Sequence, residues 1–132
     1  MYAAQIDISG LRRHLEKDHP DNETARYAAF QEIVNTGTRE QRIVRSQVLT
    51  VLNTLEQIAE TIDRGYADGD FLEKEFAQIM ARYEDWWKFL IDGQRERQQH
   101  LSGDDRPWAY MSKIADRGRR RQKTAAAKAT SP

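Results

Sequence analysis

Val44, Val48, Val51, Leu55, Ile58 and Ile62 recur at intervals of 4, 3, 4, 3 and 4 residues. That rhythm lays one apolar seam along an α-helix and fits no strand. Thr38-Arg39-Glu40-Gln41 ahead of it has the form of a capping box, in which Thr38 and Gln41 satisfy each other's free amides. Arg64-Gly65 closes it. The helix spans about 26 residues, about 39 Å at the α-helical rise. Leu49, Leu52 and Ala59 widen its apolar face, which predicts a central helix touching more than one neighbour.

Gly65-Tyr66-Ala67-Asp68-Gly69 reads as a turn, after which Asp70 is expected to cap a second long helix through Asp70-Phe71-Leu72-Glu73. Leu72, Phe76, Ile79, Tyr83, Trp86, Trp87, Leu90 and Ile91 face inward or nearly so, carrying the helix to about Gln99, with a bend at Gly93. The pair predicts an antiparallel hairpin, about 38–64 and 70–99. Two shorter helices are expected within 1–36. One runs from about Ile8 to Lys17, capped by Asp7 or Ser9. The other runs from Glu23 to Asn35, capped by Asn22 and left through a left-handed Gly37, with Tyr27, Phe30, Ile33 and Val34 in one sector. Pro107 suits the first turn of a last helix over 107–117, with Trp108, Met111, Ile114 and Ala115 as its stripe. From Gly118 no apolar stripe remains, so 118–132 is expected to be a disordered basic tail. The fold class is all-α: a small bundle of about five helices built around the hairpin, one domain over 1–116.

Composition agrees. The 132 residues suit one domain, 32% of them are charged, and breakers are few, with 7 Gly and 3 Pro. Cysteine is absent, which excludes disulfides, thiolate metal sites and redox pairs. No stretch is apolar and long enough to span a bilayer, and MYAAQIDISG does not read as a secretory signal, so a cytoplasmic protein without membrane contact is expected. Formal charge sums to zero but is divided: residues 117–132 carry six basic side chains and no acid, leaving 1–116 at −6.

Leu52–Leu72, LNTLEQIAETIDRGYADGDFL, resembles a family of small bacterial and phage helical proteins classed only as a domain of unknown function. Its pattern is an L-N-x-x-E-x-I-A helix, a Gly-ended turn with an acid, and a second helix. Trp86-Trp87, Arg95, Arg97 and the aromatic helix from Trp108 are similar to the rest of it, so the likeness covers about 40–116. Many members carry membrane helices ahead of this domain. This sequence shows none, and membrane attachment is not carried over. The resemblance implies the fold and no reaction.

Candidate chemistry is sparse. Asn53 and Glu56, three apart beside the seam, form a polar pair that could line a groove. The structural alternative is a half-buried Glu56 paired with Arg95 or Arg97, fixing the hairpin's register. Trp86 and Trp87 point about 100° apart on a helix, so both are core or one meets a partner or a second copy. Arg117, Arg119, Arg120, Arg121 and Lys123 are candidate phosphate contacts, with docking of the tail on the acidic body as the competing reading. Glu16 and His19 have one metal-ligand spacing and His14 and Asp18 another, but a di-iron bundle needs two Glu-x-x-His motifs and further glutamates. No nucleophile elbow, phosphate loop or Cys/His pair is present, so no catalytic, cofactor or metal residues are assigned. The expectation is a non-enzymatic helical interaction or regulatory module of bacterial or phage origin, acting on a protein partner or itself. The alternatives are a nucleic-acid accessory protein using the tail, and a metal-binding helical protein.

Overall fold

A computed structural model describes residues 8–65 and 68–130. The described residues form six α-helices: α1 (Ile8–Asp18), α2 (Glu23–Thr36), α3 (Arg39–Arg64), α4 (Gly69–Trp86), α5 (Lys88–Arg97) and α6 (Ala109–Thr130). A single 3-10 turn, Gly103–Asp105, precedes α6. No strand is found among them.

α3 is the centre, in contact with α1, α2, α4 and α6. Its buried line is Val44, Val48, Leu52, Leu55, Ala59 and Ile62, while Val51 and Ile58 are half-buried at its edge. The wide face is thus used in full. Both parts of the Thr38–Gln41 capping box form, with Gln41 N–H donating to Thr38 Oγ1 at 3.1 Å and Thr38 N–H donating to Gln41 Oε1 at 2.9 Å. Asn22 caps α2 by accepting from Ala25 N–H at 3.0 Å. Gly65 leaves α3 in the left-handed region at φ 72°.

Several local expectations are corrected. Asp68, not Asp70, caps α4, accepting from Phe71 N–H. Gly37 leaves α2 in an extended conformation, φ −74°, not a left-handed one. Ser9 lies inside α1, while Asp7 falls outside the described residues. Val34 and Ile79, placed in apolar sectors from the sequence, are 46% and 38% exposed. On α4 the buried positions are Glu73, Ala77 and Met80, the side that meets α6 and α3.

The returning arm of the hairpin is two helices. α4 ends at Trp87, whose φ and ψ of −112° and 26° are non-helical, and α5 starts on Trp87's own carbonyl, which accepts from Leu90 and Ile91 N–H. No glycine or proline marks the break. It lets Trp87 bury completely against Phe30 and Phe89, with ring centroids 5.8 and 5.6 Å away. α5 turns aside to pack on α2. Gly93 does not bend α5. It lies under the Tyr27 ring, where a Cβ would come within 2.5 Å of ring carbons.

The largest correction concerns the basic segment. Residues 118–130, expected as a disordered tail, continue α6 to Thr130. α6 packs extensively on α4 and on α3, and Gly118 is buried where a Cβ would meet the Ala77 Cβ at 2.8 Å.

Candidate functional site

α6 begins without a cap from its own sequence. Trp108 holds the cap position, its carbonyl accepting from Ser112 N–H at 3.1 Å, but an indole cannot satisfy the first amides of the helix. They are met from α3. Glu56 accepts from Tyr110 N–H at 3.2 Å and from Met111 N–H at 2.7 Å, one on each carboxylate oxygen. Three residues earlier on α3, Asn53 Oδ1 accepts from the Trp108 indole at 3.0 Å. A negative charge at a helix N-terminus also meets the positive end of its dipole.

Arg95 of α5 closes the arrangement. Its Nε donates to the Pro107 carbonyl at 3.0 Å, and its Nη2 donates to the Trp108 carbonyl at 3.2 Å and to Ser112 Oγ at 2.7 Å. The Ser112 hydroxyl in turn donates to Glu84. Trp108 is thereby fixed with φ +55°, a region that bulky residues rarely occupy. Strain of this kind persists only where surrounding bonds over-determine it, and Asn53, Glu56 and Arg95 supply them.

This corrects the expected pairing of Glu56 with Arg95 or Arg97. Glu56 ties α6 to α3 and does not set the hairpin's register. Arg95 reaches it only through its charge. Burial raises the Glu56 carboxyl above its ordinary value, partly offset by the Met111 and Tyr110 amides. Burial likewise lowers the Arg95 guanidinium, with Arg106 adding to the effect.

Asn53, Glu56, Arg97 and Trp108 share one polar groove of about 580 Å³, which Arg45, Gln31, Gln94, Gln98 and Asp105 also line. Arg95 lies behind its wall. The sequence pointed to Asn53, Glu56 and Arg97, and missed Arg45 and the glutamines, which no local pattern marks. Arg45 donates from Nη2 to Gln31 at 2.8 Å and stands 5.2 Å from the Phe30 ring centroid, while its Nε is buried with no partner. Burial pushes its guanidinium below the usual value.

The two tryptophans part company. Trp87 is core, 0% exposed. Trp86 is half-buried, edge-on to Tyr83, with the guanidinium of Arg12 4.8 Å from its ring and that of Arg82 5.9 Å away.

The basic segment is divided by the acids it meets. Arg117 bridges Asp63 at 2.7 Å and Glu73 at 3.2 Å, and Arg121 also pairs with Glu73. Arg119 reaches Glu84, Asp85 and Asp116. Burial opposes ionisation of Asp63, but Arg117 and Lys113 outweigh it and hold its carboxyl below the usual range. Of the candidate phosphate contacts, Arg120 and Lys123 make no ion pair among the described residues, and neither does Lys128 beyond them.

His14 and Asp18 form an exposed pair, Nε2 to Oδ2 at 3.2 Å, and Glu16 is bonded to Arg12. Among the described residues, no group of three or more His, Cys, Asp or Glu side chains is arranged to hold a metal. No helix among them is long and apolar enough to cross a membrane.

These features define an all-α bundle with a cross-braced last helix and a basic extension. The chain belongs to the family described as Domain of unknown function (DUF4760), whose model matches residues 6–117. The match takes in the two N-terminal helices as well as the hairpin, and it stops within α6. No curated protein and no solved structure matches the chain.

Proposed function

We propose that this chain is a non-enzymatic helical interaction module that binds an acidic protein surface through the distal half of α6. The observation that carries the reading is that residues 120–129 are helical and exposed along their whole length while Arg120, Lys123 and Lys128 have no acidic partner among the described residues. At about 100° per residue these three cations fall within one sector of about 140°. A helix lying in water over several turns is marginal on its own, so a partner that covers it adds to its stability. A second copy offers such a surface, since residues 1–116 carry −6. The bacterial or phage origin and the cytoplasmic setting expected from the sequence belong to the same proposal.

Light scattering of the full chain at about 20 mM and about 500 mM salt, where screening lengths differ severalfold, tests it alongside binding to a fluorescent poly-glutamate peptide. Wild type should associate with itself or with the peptide at low salt and dissociate at high salt, and a variant carrying R120E, K123E and K128E should do neither. Equal behaviour of the two proteins overturns the reading. The nucleic-acid alternative rests on the same cations. Tighter binding to a DNA duplex than to the peptide would favour it. Metal analysis of the purified protein tests the metal-binding alternative.

A further inference from the structure

Several cations on the body of this protein have an acid beside them: Arg12 has Glu16, Arg64 has Glu60, Lys88 has Asp92, Lys113 has Asp63 and Asp104. The groove between α2, α3, α5 and the 103–108 segment brings two unpaired guanidinium groups to one cavity. Arg45 and Arg97 both line it and neither forms an ion pair among the described residues. Arg45 keeps a buried Nε–H with nothing to accept it, although buried polar groups are normally bonded. The groove's own acids do not answer this need. Glu56 is engaged with two backbone amides, and Asp105 makes no ion pair among the described residues. The volume of about 580 Å³ falls in the range of small-ligand sites. One wall is Trp108, held rigid by Asn53, Glu56 and Arg95, which is how a site avoids the entropy of ordering itself on binding.

We propose that this groove binds a ligand bearing a free carboxylate, with the carboxylate received by Arg45 and Arg97. A guanidinium is matched to the planar, two-oxygen geometry of a carboxylate. A single negative charge suits the site better than a phosphate dianion, because Glu56 and Asp105 lie along the same cavity and would repel the second charge. The same two acids and the oxygens of Gln31, Gln94 and Gln98 can accept from N–H or O–H groups next to the carboxylate. An amino acid or hydroxy acid carries that chemistry, and so does the C-terminus of a polypeptide. The site is independent of the basic face of α6.

The test uses the three indole N–H resonances of the 132-residue chain. Tri-alanine, its C-terminal amide and free alanine are titrated in turn. The Trp108 resonance should move saturably with tri-alanine, while those of Trp86 and Trp87 stay fixed. The amide should bind at least about tenfold more weakly, the size expected on losing a charge-assisted pair. Arg97→Gln should weaken tri-alanine by about as much. This substitution removes no side-chain bond among the described residues, so the loss reads binding and not folding; Arg45→Met, checked by urea denaturation, is the second variant. Free alanine binding as well as tri-alanine assigns the site to small carboxylic acids, whereas tri-alanine alone assigns it to polypeptide C-termini. No saturable shift of Trp108 with either compound overturns the proposal, as does equal affinity for acid and amide, or an Arg97→Gln protein that binds unchanged.

Discussion

Replacing Glu56 tests how the last helix is held. In Glu56→Ala the amides of Tyr110 and Met111 lose their acceptors while the rest of α6 still packs on α3 and α4. A hydrogen bond to a charged group contributes about 1.5–3 kcal/mol, and loss of an N-cap costs about 0.5–2 kcal/mol. Two bonds would give the upper end. Against this, the carboxylate is partly desolvated, as its raised titration shows, and water entering the groove can reach the freed amides. The net loss should be about 2–3 kcal/mol. Glu56→Gln keeps one acceptor oxygen but turns an amide N–H₂ towards the second donor, so it should lose about 1–2 kcal/mol. Urea denaturation followed by circular dichroism measures both, and hydrogen exchange at Tyr110 and Met111 locates the effect. The pH dependence has a defined sign. The folded value of Glu56 lies above its unfolded value of 4.5, so the folded state takes up a proton first. Wild type therefore gains stability over Glu56→Gln as pH falls from neutrality through the folded value towards 4.5. A Glu56→Ala protein as stable as wild type, with unchanged exchange at both amides, would refute the capping role.

Gly118→Ala should destabilise by about 1–3 kcal/mol in urea denaturation, because the new methyl forces α6 away from Ala77. Gly93→Ala should also lose stability in the same assay, against the helix-propensity gain of about 1 kcal/mol, since the Tyr27 ring occupies the space. The depressed Asp63 carboxyl adds stability that is present above its unfolded value of 3.8 and lost as pH falls through the lower folded value. Arg117→Gln should remove most of that acid-range dependence in denaturation midpoints measured below neutral pH. If duplex DNA binds at all, its affinity should fall with log salt at a slope of about −3, for the three unpaired cations of α6, and not about −5, as six would give; a fluorescence-anisotropy salt titration reads the slope.

What was legible in the sequence was local. The α3 seam, the Thr38–Gln41 box and the Asn22 cap each depend on residues within one or two turns; both caps stand as read, and the buried line of α3 keeps Val44, Val48, Leu55 and Ile62 but takes Leu52 and Ala59 in place of Val51 and Ile58. The misreadings share the opposite property. The break at Trp87 carries no glycine or proline because its cause is Phe30, far off in the chain, which offers the indole a fully buried seat. The start of α6 was placed on Pro107, yet that helix is capped by Glu56 from another element. One signal was available: no Ser, Thr, Asn or Asp stands at the cap position, so its free amides needed an acceptor from elsewhere. Asn53 and Glu56, polar residues beside an apolar seam, were the acceptors in waiting.

The basic segment was misjudged for a related reason. Absence of an apolar stripe argued for disorder, but Arg, Gln, Lys and Ala are strong helix formers, and the segment follows directly on a packed helix. Glu73, Asp63 and Glu84 then do for α6 what apolar residues do elsewhere. Glu73 is only 8% exposed, and it accounts for two of the arginines, Arg117 and Arg121. Three of the six charges of residues 117–132, those of Arg117, Arg119 and Arg121, are therefore met internally by acids of α3 and α4. Among the cations without an acidic partner in the described residues, the outer three of α6 lie together on one exposed face and Arg45 and Arg97 share the groove. A partner of this protein is to be sought through those five side chains.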